Sequence, residues 1–164
     1  MLILHDFTEN DIERLIAILN DDTVIQYLST KIPFPYTKED AIWWVKEGSN
    51  SELIKAISVD GILVGCIGIN TGEFEYERSG EIGYWLASSH WRRGITSMAI
   101  RQLSEYAFSN THIVRLFASV FSGNTPSMQL LIKSGFQQEA ILERSIFKNG
   151  HFYNNHIFSL LKPL

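Results

Sequence analysis

The sequence predicts an α+β fold with a mixed, mostly antiparallel sheet, and three observations carry that prediction. Leu53 to Ile69, rich in β-branched and apolar residues, is interrupted by Asp60-Gly61, a pair suited to a tight turn, and the strands Phe136 to Phe147 and Phe152 to Leu160 flank a second such pair, Asn149-Gly150. Between them, Ile95, Met98, Ala99, Leu103, Tyr106 and Ala107 recur at helical spacing, and the strand-like run Val114 to Phe121 follows. At about 150 residues per domain, a length of 164 suits a single domain, so residues 1–164 are expected to share one core.

Taken in order, Leu2 to Leu4 is a short apolar run suited to an edge strand. Thr8 with an acid three residues later, Asp11, resembles a capping box, and Ile12, Leu15, Ile16 and Leu19 continue at helical spacing until Asn20-Asp21-Asp22 ends the helix. Pro33-Phe34-Pro35-Tyr36 forms a rigid loop into a second cap at Thr37, and Ala41, Ile42, Trp44 and Val45 mark the helix behind it. Two antiparallel strands follow across Asp60-Gly61. Thr71 to Ser79 is polar and acidic, and Glu81 to Leu86 is another strand. Gly94 stands at the junction with the helix that starts at Ile95. After the strand Val114 to Phe121, Thr125 is expected to cap a helix with Pro126 in its first position, and Lys133-Ser134-Gly135 to stop it. The last two strands pair across Asn149-Gly150. The expected order is β-α-α-β-β-β-α-β-α-β-β, with no internal repeat and no linker.

Composition excludes several classes. Apolar residues make up 45% and charged residues 20%, with four prolines and no biased tract, which argues for a globular chain against disorder or a fibre. A net charge of −4 repels polyanions, so no nucleic-acid partner and no anionic membrane is expected, and any anion must be bound locally. The longest apolar stretch, Ile62 to Ile69, falls short of the roughly 20 residues a bilayer requires. The first residues lack the basic, apolar and small-residue segments of a secretory signal, so a cytoplasmic location is expected. Cys66 is the single cysteine, which removes intrachain disulfides and cysteine-based zinc sites; it is expected to fill core space in a strand. The five histidines show no metal-ligand spacing, and no metal is expected.

Two strand–loop–helix junctions could carry chemistry. In Trp91-Arg92-Arg93-Gly94-Ile95-Thr96-Ser97, the free N–H groups of a helix start converge, a glycine permits close approach, hydroxyls add donors and two arginines supply charge. That suits a phosphate, but it also suits a plain helix start flanked by solvated arginines. The second junction is Phe121-Ser122-Gly123-Asn124-Thr125-Pro126-Ser127. Capping accounts for Thr125 and Pro126 and leaves Asn124 and Ser127 unassigned.

Trp91 to Thr96, Asn124-Thr125-Pro126-Ser127 and Lys133-Ser134-Gly135-Phe136 resemble, in order and spacing, the GNAT superfamily of acyl-CoA N-acyltransferases. Pro35 to Ala41 and Ile82-Gly83-Tyr84-Trp85-Leu86 resemble the branch that includes acetyltransferases of ribosomal-protein N-termini. The resemblance spans essentially the whole chain. It implies a GNAT-like sheet whose central strands, Ile82 to Leu86 and Val114 to Val120, splay to admit the pantetheine of acetyl-CoA. It further implies that Arg92, Arg93, Gly94, Ile95, Thr96 and Ser97 hold the pyrophosphate. An N–H near Leu86 would face the thioester oxyanion, Asn124 would contact the coenzyme arm, and Ser127 would protonate the leaving thiolate. Glu81 matches a glutamate that takes the proton of the amine; the other reading of Glu81 is an exposed strand residue. Trp91 stands where glutamine or arginine is usual, Thr96 where glycine or alanine is usual, and Leu131 where many members have a tyrosine acid.

The expected function is acetyl transfer from acetyl-CoA to a primary amine by direct attack in a ternary complex, with a protein N-terminus as the acceptor. A polyamine or aminoglycoside is the alternative, suggested by Glu73, Glu75 and Glu77, which would share one face of an extended segment. A second alternative is a sensor that binds acyl-CoA without turnover. Either a monomer or a homodimer is compatible with the sequence.

Overall fold

The computed structural model describes residues 1–164. Its elements are β1 (Leu2–His5), α1 (Ile12–Leu19), α2 (Asp22–Ile25), α3 (Lys38–Trp43), β2 (Ile54–Val59), β3 (Ile62–Thr71), β4 (Ser79–Leu86), α4 (Ile95–Asn110), β5 (Arg115–Phe121), α5 (Thr125–Lys133), β6 (Gln137–Lys148) and β7 (His151–Leu161). Seven strands are hydrogen-bonded in the order β1-β2-β3-β4-β5-β7-β6. β1 with β2, β2 with β3, β5 with β7 and β6 with β7 pair antiparallel, whereas β4 and β5 run parallel. Parallel neighbours cannot be joined by a tight turn, and α4 supplies the crossover. The sheet is therefore mixed and mostly antiparallel, flanked by helices, as expected.

Contacts group the chain into two compact units, residues 1–68 with 84–95 and residues 69–83 with 96–164. Neither is a continuous stretch, because the chain passes from one to the other within β3, within β4 and at the start of α4.

In the first unit, the Asp11 carboxylate accepts the Thr8 N–H at 2.9 Å. The acidic half of the expected capping box thus forms, and the turn Glu9–Asp11 leads into α1. Asn20 ends α1 as expected, but Asp21 then caps a further short helix, α2, by accepting the Thr23 N–H at 2.9 Å. The full capping box appears at Thr37, whose hydroxyl accepts the Asp40 N–H at 3.2 Å while the Asp40 carboxylate accepts the Thr37 N–H at 2.9 Å. Behind α3, the chain widens into a π turn at Trp44–Gly48, closed by the Ser49 N–H on the Trp44 carbonyl at 2.8 Å. Leu15, Leu19, Tyr36, Ala41, Ala56, Leu63 and Cys66 form the core of this unit. Burial pushes the Cys66 thiol up to about 12. Trp44 and Trp85 pack against that core, while Trp43 and Trp91 are exposed.

The second unit carries the parallel pair. Leu116, Ala118 and Val120 of β5 are buried and alternate with Arg115, Phe117, Ser119 and Phe121 on the other face, the period of two expected of a strand. The chain enters β6 through a helix stop in which Phe136 N–H donates to Leu131 at 3.0 Å and Gly135 N–H to Ile132 at 3.1 Å. β6 and β7 turn at Asn149 and Gly150, with φ of 51° and 79°, which is the double left-handed geometry the Asn-Gly pair favours. One expectation fails here. Phe74–Tyr76 is a 3-10 turn, so Glu73, Glu75 and Glu77 do not lie along an extended segment and do not share one strand face.

Candidate active site

The second unit places Glu81 where the parallel ladder stops. The pairs Ser79↔Arg115, Gly80↔Leu116 and Glu81↔Phe117 are made, and no further pair follows although β4 continues to Leu86 and β5 to Phe121. Gly80 and Ile82 are buried, so Glu81 points to the opposite face, the face that also carries Phe117 and Ser119. The Ser119 hydroxyl donates to Glu81 Oε2 at 3.2 Å, and Asn155 Nδ2 of β7 donates to Ser119 Oγ at 3.4 Å. Asn155 Oδ1 is buried without a hydrogen-bond partner. An unmet buried acceptor costs about 1–3 kcal/mol.

Neither Ser119 nor Asn155 emerges from the sequence reasoning above. Ser119 had a signal, a polar residue on the open face of a period-two strand. Asn155 had a weaker one, an amide pair, Asn154-Asn155, in the middle of the terminal strand.

Asn124 and Ser127 come together at the start of α5, but in a role the sequence reading gave to Thr125. Asn124 is the cap: its side-chain oxygen accepts the Ser127 N–H at 3.4 Å. Thr125 and Pro126 are the first two helical residues, so the helix starts one residue earlier than expected. The physical reason is that a cap residue needs non-helical backbone dihedrals, and Asn124 has them, with φ −85° and ψ 61°. Thr96 and Ser97 occupy the first turn of α4, where the leading amides have no acceptor within their own helix.

The first unit holds the remaining predicted residues. β4 ends at Leu86, whose carbonyl accepts the Trp91 indole N–H at 2.9 Å. The Ala87 N–H donates to the Val64 carbonyl at 2.7 Å, so the amide after Leu86 is engaged in the fold. Ser88–His90 make a 3-10 turn, with the Ser88 hydroxyl on Asp21 Oδ2 at 2.8 Å. Thr23 and Ser88 hold the Asp21 carboxyl below its ordinary value through these hydrogen bonds.

Arg92 and Gly94 both take left-handed backbone, with φ of 63° and 75°. Glycine carries that conformation without penalty, whereas for arginine it costs about 1–2 kcal/mol. A Cβ at Gly94 would meet no atom within 4 Å, so open space adjoins the backbone at that point. His90 has its pKa lowered, first by burial and then by the positive charges of Arg93 and Arg14. The loop therefore combines clustered cations, a bare stretch of backbone and a helix start, which fits an oligo-anionic group such as a pyrophosphate.

Two other histidines have local partners. His5 bonds Ser58 Oγ at 2.6 Å, and His156 bonds Gln138 Oε1 at 3.3 Å. No three His, Cys, Asp or Glu side chains gather as a metal site. No helix is long and apolar enough to cross a membrane.

A Bacillus subtilis protein named uncharacterized N-acetyltransferase YoaA is 30% identical over 177 aligned positions, covering 99% of this chain and 94% of its own. The ribosomal-protein-serine acetyltransferase of Escherichia coli is 29% identical over 59% of this chain and 54% of its own. Among solved structures, RimL, a ribosomal L7/L12 alpha-N-protein acetyltransferase in complex with coenzyme A, superimposes with a TM-score of 0.85 at 18% identity, covering 98% of this chain and 94% of that one. Residues 1–137 match the acetyltransferase (GNAT) domain. The chain is thus an acyltransferase and belongs to the GNAT acetyltransferase family.

Proposed function

We propose that this protein transfers the acetyl group of acetyl-CoA to a primary amine, with a protein N-terminus as the acceptor, by direct attack without a covalent enzyme intermediate. The observation that carries this reading is the Glu81 carboxylate. It ends the parallel ladder with Oε2 held by Ser119, and Oε1 accepts no hydrogen bond within the protein. An ammonium group has no lone pair for attack, so its proton must first leave, and Glu81 Oε1 receives it directly or through one water. The amine nitrogen then bonds to the thioester carbonyl carbon. As the carbonyl re-forms, the carbon–sulfur bond breaks and coenzyme A leaves as thiolate. The Ser127 hydroxyl supplies a proton or hydrogen bond to that thiolate, and the proton remaining on nitrogen passes to solvent. Residues 92–97 hold the pyrophosphate, chiefly on backbone N–H groups.

The protein N-terminus is preferred because the relatives whose names specify an acceptor include ribosomal-protein acetyltransferases. The aligned glutamates that suggested a polycation are absent, and the second reading, a polyamine acceptor, is supported by the likeness to a spermidine N-acetyltransferase structure. Calorimetry with acetyl-CoA, followed by a thiol-release assay over N-terminal peptides and small amines, tests the proposal. Release with a peptide acceptor is expected. Binding without release for any amine would favour a sensor, release with spermidine alone would reassign the acceptor, and no binding would refute both.

A further inference from the structure

Glu81, Ser119 and Asn155 lie on one sheet face across three neighbouring strands. Glu81 is opposite Phe117 in the β4–β5 ladder, and Phe121 is opposite Asn155 in the β5–β7 ladder. Ser119 falls midway between Phe117 and Phe121 on the same face of β5, so one hydroxyl reaches a carboxylate on one side and an amide on the other. We infer that Asn155 and Ser119 are positioning residues for Glu81, forming a directed relay, Asn155 Nδ2 to Ser119 Oγ to Glu81 Oε2, that aims the other carboxylate oxygen at the incoming amine. The inference rests on the reading of Glu81 as the proton acceptor.

The direction of the relay follows from counting donors. A serine hydroxyl has one proton and can donate once. Asn155 approaches Ser119 with an N–H, which occupies the oxygen as an acceptor and leaves the proton for Glu81. A glutamate side chain on an open strand face has three rotatable bonds, and pinning Oε2 removes most of that freedom. Oε1 then keeps its lone pairs in a fixed direction, and proximity effects in catalysis depend on that fixity.

The buried, unmet Asn155 Oδ1 supplies the second observation. An apolar residue of similar size would fill the place without leaving an orphaned acceptor. The asparagine contributes a contact an apolar side chain could not make, its N–H on Ser119.

The test uses single and double variants of the full chain, assayed by thiol release with acetyl-CoA and two probes, a short peptide with an N-terminal serine and spermidine. Ser119→Ala is expected to lower kcat on the order of tenfold with the KM for acetyl-CoA unchanged. Asn155→Ala should behave likewise, and Ser119→Thr, which keeps the hydroxyl, should restore the rate. In a Glu81→Gln background, Ser119→Ala should cause no further loss. Wild-type kcat in Ser119→Ala while Glu81→Gln is slow would overturn the relay alone; wild-type kcat in Glu81→Gln would overturn the proton-acceptor reading and the relay with it. A readout independent of turnover is the set of three-bond NMR couplings of the Glu81 side chain. They should report one rotamer in the wild type and averaging in Ser119→Ala, and averaging already in the wild type would refute the relay.

Discussion

The Trp91 indole N–H donates to the Leu86 carbonyl oxygen at 2.9 Å, tying the loop before α4 to the end of β4. In family terms Trp91 is a departure, since glutamine or arginine is usual there. In this chain its side chain fixes where the loop begins. Trp91→Phe keeps an aromatic ring and removes the donor. It should destabilise the protein by about 0.5–1.5 kcal/mol, the net worth of such a bond. A shift of the thermal midpoint by a few degrees, with acetyl-CoA affinity reduced in calorimetry, is the expected result. An unchanged midpoint would show that the bond adds nothing.

Arg92 and Gly94 allow backbone and charge to be separated. Gly94→Glu should abolish acetyl-CoA binding, because it places a carboxylate in the open space beside the left-handed backbone. Arg92→Ala and Arg92→Gly remove the same charge, but only glycine suits a φ of 63°. The glycine variant should therefore be the more stable by about 1 kcal/mol in denaturant unfolding. Both should weaken acetyl-CoA binding modestly and equally, since exposed charge contacts are worth roughly 0.2–1 kcal/mol each. Unequal losses would point to a conformational role for Arg92 in the cofactor loop.

Asn124 and Ser127 separate capping from chemistry. Asn124→Ala removes the cap of α5 and should cost about 1 kcal/mol of stability. Ser127→Ala leaves the capped N–H in place, and kcat should fall about 10- to 1,000-fold. Turnover unchanged under conditions where chemistry limits the rate would remove the proposed acid role.

The Arg115–Glu139 ion pair contributes to the acid limb of stability. Its guanidinium hydrogen bonds hold the Glu139 carboxyl below its ordinary value of 4.5, with Ser159 adding to the effect. A carboxyl depressed in the folded state contributes stability above its unfolded value and loses it as pH falls through the folded value. The decline should therefore begin below about pH 4.5. Glu139→Gln should flatten that part of a pH–stability curve. The effect should be small, because both side chains are about one-third exposed.

Much of the fold was legible because its punctuation is local. Asp60-Gly61 and Asn149-Gly150 set two hairpins, Thr37 set a capped helix, and Gly135 set a helix stop, each through chemistry contained in a few adjacent residues. Features decided by competition among neighbours were misplaced. Asn124, Thr125 and Ser127 are all competent near a helix start, and only the backbone dihedrals single out Asn124. Glu73 to Glu77 could be extended or turned, and Phe74, at a φ of 54°, turns. In the candidate site, the loop and Glu81 stand out in the sequence because their residue types suggest chemistry. Ser119 and Asn155 become visible only through strand register, which joins residues 36 to 38 positions apart.

That separation bears on how the protein folds. Hairpins such as β6–β7 close over two residues and can form early, whereas the β4–β5 ladder must await the whole crossover through α4. Loop-closure entropy and contact order make such a parallel pair a late event. The carboxylate and its hydroxyl partner thus meet only after the local hairpins are in place. In pulse-labelled hydrogen exchange, the β6–β7 amides should gain protection before those of the β4–β5 ladder, so that during refolding the Glu81–Ser119 contact arrives among the last to form.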